Sequence, residues 1–222
     1  MNIFKRHTNV NKSTEVNIED FRRKYAEEQK EECIKLCPIL YSNINKSMDK
    51  TCMCWGWECG YGWWEKICDL SYQIEALNIQ YRKYGVMCIA DQVKEKYGTW
   101  RFYYTIHTEE DMDGIDENEQ NVISKSFDIE VFNLVSKTVD ICYNTCECCG
   151  AHIGDKYYPR CETHGWISYI CHKCAVKSGS IYMMNGKWYK GTKRTRNPYG
   201  SLYFKLCLRY LKNKWSHIRY GR

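Results

Sequence analysis

Cys146-Glu147-Cys148-Cys149 and Cys171-His172-Lys173-Cys174 decide how the rest of this chain is read. The pattern is C-x2-C, 21 intervening residues, then C-x2-C. Two cysteines at this spacing sit on one tight turn and aim both sulfurs at a common point. Two such turns supply four thiolates, which suits a tetrahedral Zn2+ ion with no open position. The predicted ligands are therefore Cys146, Cys149, Cys171 and Cys174. The segment between the pairs, 150–170, has little apolar bulk and reads as one hairpin or ribbon. Metal-binding energy would be folding energy for it.

Other donors lie close by. Cys161-Glu162-Thr163-His164 is itself a C-x2-H, so a quartet of Cys146, Cys149, Cys161 and His164 is open. So is a two-metal arrangement that adds Cys148 or His172. The plain alternative is reduced cysteines that merely pack. In each metal reading the site is closed and structural. A catalytic zinc keeps a position for water beside a general base, and that pattern is missing from the sequence.

Outward from the cysteines, composition sets further bounds. The chain of 222 residues carries 19 tyrosines and 8 tryptophans, so its core must be largely aromatic. The start, Met1-Asn-Ile-Phe-Lys-Arg-His7, lacks the apolar stretch of a signal peptide, and no window reaches 18 apolar residues. A cytoplasmic protein without membrane contact is expected. Fifteen cysteines, an odd number, then argue for reduced thiols and metal. Charge is split. Residues 175–222 hold 12 Lys and Arg and no acid, and the first 174 residues carry −6, for a net +6. Such asymmetry suggests a partner with a strong field, often nucleic acid, or docking of the tail on the body.

Asn17-Ile-Glu-Asp20 is a helix-start signal, and the helix should run from Ile18 to Leu36, ahead of Pro38. Its apolar stripe is sparse, as in a surface helix or an arm that orders on a partner. Thr51 to Trp64 packs four tryptophans among glycines, as core plugs or a binding platform. Cys52, Cys54, Cys59 and Cys68 have no ligand spacing but leave a second metal site open. A core helix follows to Tyr84, ended by Gly85, with Trp63, Ile67, Leu70, Ile74, Leu77 and Tyr81 in one stripe. Lys66, Asp69 and Glu75 lie off that stripe and read as solvated charges.

Val86 to Ile106 reads as a hairpin about Tyr97-Gly-Thr99. Trp100, Phe102, Tyr104 and Ile106 share its inner face. Lys94, Lys96, Arg101 and Tyr103 could form a basic aromatic outer face, of a kind that stacks on single-stranded nucleic acid, or an ordinary wet one. Residues 109–119 hold seven carboxylates without the 12-residue Ca2+-loop pattern, so a solvated loop is expected. A helix over Glu119 to Tyr143 buries Phe127, Val131, Leu134, Val135 and Cys142. After Cys174, Lys187-Trp-Tyr-Lys190 through Arg196 reads as loop. A last helix over Ser201 to Ile218 carries Phe204, Leu208, Leu211, Trp215 and Ile218 on one stripe. Lys187, Lys190, Lys193, Arg194, Arg196, Lys205, Arg209 and Lys212 are the candidates for contact with nucleic acid or an acidic partner.

Three motifs together resemble a known group. They are Gly56-Trp-Glu-Cys-Gly-Tyr-Gly-Trp-Trp64, Gln92-Val-Lys-Glu-Lys-Tyr-Gly-Thr-Trp-Arg-Phe-Tyr103, and Thr145-Cys-Glu-Cys-Cys-Gly150 with Gly165-Trp-Ile and Cys171. In this order they resemble small proteins of tailed bacteriophages and prophages, over about residues 55–175. The resemblance implies a compact body with a zinc knuckle and brings no activity with it. This chain differs in ending the knuckle on Cys174, where the group often has His, and in Cys161, His164, the N-terminal arm and the basic tail. The expected fold class is α+β, with a small antiparallel hairpin or sheet packed on helices, a zinc-ribbon-like knuckle and a basic C-terminal helix. The expected division is an arm (1–50), a body (51–144), a knuckle (145–175) and an extension (176–222). The expected function is that of a non-enzymatic phage accessory protein. It would bind and inhibit a host protein or ribonucleoprotein machine, such as an RNA-guided defence complex, as an anti-CRISPR protein does. The alternative is a zinc-dependent regulator that binds nucleic acid directly.

Overall fold

The structure, a computed structural model, describes residues 18–109, 114 and 116–191. The first 17 residues, positions 110–113 and 115 of the acidic loop and the stretch expected as the C-terminal helix lie outside the described residues. What is described is α+β, with four helices and two small sheets.

Helix α1 spans Ile18–Leu36 and α2 spans Trp64–Tyr81, extended by a 3-10 turn over Arg82–Tyr84. Gly85 ends that run in the left-handed conformation, the usual way to stop a helix tightly. Strand β1 is the short Trp57–Glu58, β2 is Val86–Lys96 and β3 is Thr99–Thr108. They form a mixed sheet in the order β1-β2-β3. The expected antiparallel hairpin is β2–β3, and β1 adds a parallel edge through Trp57 opposite Val93. Tyr97 and Gly98 both have positive φ (55° and 74°), which fits a two-residue turn whose twist matches the strands.

Helix α3 (Glu117–Tyr143) and α2 pack with this sheet around one core. Trp63, Trp100 and Phe127 are fully or almost fully buried in it. Each such ring removes enough apolar surface to contribute on the order of 4 kcal/mol as an upper bound. Trp57 and Trp64 also lie inside, so the tryptophan loop is mostly a core plug, with Trp55 left outside. The end of α1 is built into the same core. Cys33 and Cys37 are fully buried, as is Leu40 in the turn after them.

Glu75 corrects the sequence reading. It is buried on α2, where its carboxylate accepts hydrogen bonds from Ile39 N (3.0 Å) and Leu40 N (2.9 Å). These amides belong to the turn after Pro38 and have no helix to bond to. One residue-turn along, Asn78 bonds both Cys88 N (2.7 Å) and Cys88 O (3.0 Å). Two polar side chains of α2 thus fix the arm turn and the start of β2. Glu75→Gln keeps the shape but sets an NH2 group against one backbone N–H. A lowered urea midpoint corresponding to about 2 kcal/mol is expected, because a buried donor loses its acceptor.

The second unit has its own small core of Cys146, Ile153, Cys161, Ile170, Ala175, Val176, Tyr182 and Met184. Strands β4 (Arg160–Thr163) and β5 (Tyr169–Cys171) form the expected hairpin, followed by α4 (His172–Ser178). Strands β6 (Ile181–Met184) and β7 (Lys187–Lys190) then complete a sheet in the order β5-β4-β6-β7. The loop expected from Lys187 is thus a strand as far as Lys190. Residues 176–190 belong structurally to the knuckle, because β6 pairs with β4.

Candidate metal centre

The knuckle turn is closed by its own backbone. Cys146 N donates to Ala151 O (2.7 Å) and Gly150 N to Cys146 O (2.9 Å). Gly150 takes a positive φ of 73°, which reverses the chain directly after Cys149. The second pair comes from a different local structure. Cys171 ends β5 and caps α4, its sulfur accepting from Cys174 N at 3.5 Å.

The β4–β5 hairpin brings the two pairs together. The sulfurs of Cys146, Cys149, Cys171 and Cys174 all lie within 4.8 Å of one another, and Cys149 Sγ is 3.7 Å from Cys171 Sγ. A tetrahedron with metal–sulfur bonds of ~2.3 Å has edges of ~3.8 Å. The donor set and its spacing fit one tetrahedral metal ion. Cys146 is buried and the other three are half-buried.

The electrostatics point the same way. Hydrogen bonding among the sulfurs drives the thiols apart: Cys149 is held far below the usual thiol range, chiefly by Cys146. Cys174 is pushed far above it, again chiefly by Cys146. Cys146 rises to about 11, with Cys148 as the main cause. Four sulfurs this close repel as thiolates, and only a cation lets them ionise together.

The other proposed ligands are outside this quartet, although the Cys148 thiol lies against Cys146 and Cys174. Cys161 is fully buried in the knuckle core, and burial lifts its thiol to about 12. His164 packs edge-on against Trp188 at 5.5 Å. His172 Nε2 is 3.0 Å from Tyr182 Oη, and Cys148 is exposed at the rim. Cys52, Cys54, Cys59 and Cys68 do not converge. Cys54 Sγ donates to Thr51 O, and Cys68 Sγ faces Gln29 O on α1. Among the described residues, the four outer cysteines form the one group of three or more ligating side chains within mutual reach.

The centre is bolted to the body by the tryptophan loop. Gly62 N donates to Glu147 O (2.9 Å) and Gly60 N to Glu147 Oε1 (3.1 Å). Trp63 Nε1 reaches Thr145 O (2.9 Å) from inside the core. On the other side, Trp166 Nε1 donates to Glu95 Oε2 (2.9 Å), and Glu95 Oε1 accepts from Gly98 N. Arg160 stacks its guanidinium 3.6 Å from the Tyr143 ring centre and donates to Tyr143 O, joining β4 to the end of α3. Sequence reading missed Glu147 and Arg160, whose roles depend on contacts between distant segments.

Of the candidate basic residues, Lys187 and Lys190 are exposed on β7. Lys193, Arg194, Arg196, Lys205, Arg209 and Lys212 lie outside the described residues. On the outer face of the β2–β3 hairpin, Lys94 Nζ lies 5.4 Å from the Tyr103 ring centre, with Arg101 and Lys96 exposed nearby.

Fold and site together define a class: a small α+β protein with a closed four-cysteine centre locked to an aromatic body. Comparison with protein-family models, curated proteins and solved structures gave no match. No helix among the described residues is long and apolar enough to cross a membrane.

Proposed function

We propose that this chain is a non-catalytic binding protein, a phage accessory factor that holds a host nucleic-acid-handling complex inactive, with Zn2+ as a structural ion. The metal assignment rests on the donors. Four cysteine sulfurs within 4.8 Å of one another suit a tetrahedral Zn2+ ion that leaves no position for substrate or water. The phage assignment rests on the motif series at 55–175.

The observation that carries the binding reading is the surface that the centre holds in place. Trp166 is 76% exposed and Trp188 56% exposed on the knuckle, and Tyr97 is 69% exposed at the adjoining hairpin tip. Large rings left in water have the composition of an interface core, and Lys96, Lys187 and Lys190 beside them that of a polar rim. Tagged chain recovered from infected host cells is expected to bring down one host complex in stoichiometric amount. Trp166→Ala with Trp188→Ala should reduce recovery at least tenfold, as for anchor residues of an interface. Recovery of the chain alone would sink this reading.

The same surface favours one second reading, direct binding of nucleic acid, because aromatic faces among cations stack on unpaired bases. That reading predicts affinity of the purified chain for single-stranded DNA or RNA that falls steeply with salt. Neutralising Lys187, Lys190, Lys193, Arg194 and Arg196 together should flatten the salt slope by about 3 to 4 units if each meets a phosphate. Salt-independent or absent binding removes the second reading and leaves the first standing.

A further inference from the structure

The cysteine quartet has a fifth sulfur beside it. Cys148 stands inside the first ligand pair, and its thiol is within hydrogen-bonding reach of the sulfurs of Cys146 and Cys174. It is not one of the four that lie within 4.8 Å of one another. Exposure also sets it apart. Cys146 is buried and Cys149, Cys171 and Cys174 are half-buried, whereas Cys148 is exposed. One thiol therefore faces water while touching two sulfurs of the quartet. Exposure, together with a second sulfur at hand to resolve the product, is what selects a cysteine for oxidation.

We propose that Cys148 is the oxidation site of the metal centre, and that hydrogen peroxide acting there joins Cys148 to Cys174 and releases the ion. The proposal rests on the metal reading given above. In the first step the Cys148 thiolate attacks one oxygen of the peroxide. An S–O bond forms, the O–O bond breaks, and the second oxygen leaves as water after taking a proton. Cys148 is then a sulfenic acid. In the second step the Cys174 thiolate attacks that sulfur. An S–S bond forms, the S–O bond breaks, and the remaining oxygen leaves as a second water. The two cysteines together lose two electrons, and the peroxide gains two.

Two sulfurs are in reach of Cys148, and their placement chooses between them. Cys146 is two residues away on the same turn, which the bond from Gly150 N to Cys146 O (2.9 Å) already closes. A bridge to it would have to form inside that turn. Cys174 belongs to α4, a separate segment, so its β-carbon can approach Cys148 from across the centre. Cys174 is also the less buried of the two.

The consequence for the fold follows from what the quartet holds. With Cys174 bridged, three sulfurs remain, and the knuckle keeps a core of only eight residues. It should open as the ion leaves, and the exposed rings of Trp166 and Trp188 then lose their fixed positions. A thiol reductant restores both cysteines, so the change is reversible. Cys52, the other exposed cysteine among the described residues, lies in the turn Cys52–Trp55, away from the metal group, and serves as the control.

The test uses full-length chain loaded with zinc, treated with hydrogen peroxide and followed by the absorbance of a zinc-binding dye. Native chain is expected to release its zinc with Cys148 joined to Cys174, read by peptide mass spectrometry. Cys148→Ser is expected to carry the same zinc and to release it about tenfold more slowly or less, while Cys52→Ser keeps the native rate. A second readout needs no variant. Dimedone present during the reaction should label Cys148 of native chain ahead of the other knuckle cysteines. Equal release from Cys148→Ser and native chain, or dimedone on a quartet cysteine in place of Cys148, overturns the proposal and leaves the metal reading intact. Native chain that holds no zinc before peroxide is added removes the metal reading, and this proposal with it.

Discussion

Cys149→Ser is expected to empty the metal centre and unfold the knuckle while the body stays folded. The four sulfurs lie close enough to share one ion, and a structural Zn2+ in a small domain contributes ~10–16 kcal/mol of apparent binding energy. Loss of one ligand in four removes about 3 kcal/mol, or ~100-fold or more in affinity. Little else holds this unit. Its core is eight residues, two of them the small Ala175 and the ligand Cys146. Zinc per chain, by elemental analysis after dialysis, should fall from about one to near zero. Near-ultraviolet signals of the exposed knuckle tryptophans should collapse, while amides of α2 keep their hydrogen-exchange protection. Cys161→Ser should retain the ion, since that sulfur lies outside the cluster. Acid should mimic the ligand loss, because protons compete for thiolates as pH falls. A fully structured knuckle in metal-free Cys149→Ser would show that the ion is dispensable.

Gly62→Ala is expected to be nearly as damaging, although it touches no ligand. Its φ is ordinary, so backbone strain is not the reason. A Cβ there would fall 2.5 Å from Gly150 N and closer still to Cys146 O, both backbone atoms of the knuckle turn. Neither can move without opening the turn that aims Cys146 and Cys149. Overpacking of this kind costs about 3 kcal/mol, and here it also breaks the bond from Gly62 N to Glu147 O. Chemical denaturation should show a midpoint lowered to match, and chelators should strip the metal faster. Gly60→Ala meets Glu147 in the same way. Gly114→Ala meets no neighbouring atom, so any penalty there comes from its positive φ alone and leaves metal retention untouched. Equal metal retention in Gly62→Ala and native chain would remove the coupling between body and centre.

The fold was legible where pattern is local. Leu36 before Cys37-Pro38 ends α1, Gly85 ends the run that begins as α2, and the 3.6-residue period of Phe127, Val131 and Cys142 fixes α3. The cysteine quartet was legible because ligand spacing is a short-range signal for a long-range contact. Glu75 was not, since nothing in the helix shows that the turn after Pro38 will present two bare amides to it. The β6–β7 hairpin carried a signal that was passed over. Asn185-Gly186, both at positive φ, stands between Ile-Tyr-Met-Met and Lys-Trp-Tyr-Lys, and this pair is the strongest short hairpin turn. The high density of cations around it suggested loop. The glycines at 60 and 62 announced a tight turn but not which backbone would fill the space.

The bond from Trp63 to Thr145 joins positions 82 residues apart, and it has a consequence for biogenesis. On a ribosome the tryptophan loop emerges long before its docking surface exists. At ~5–20 residues per second it waits several seconds, its rings open to chaperones and to neighbouring nascent chains. Metal capture would come later still, once Cys174 has left the exit tunnel. Cells starved of zinc should therefore accumulate newly made chain as aggregate, while copies already completed persist.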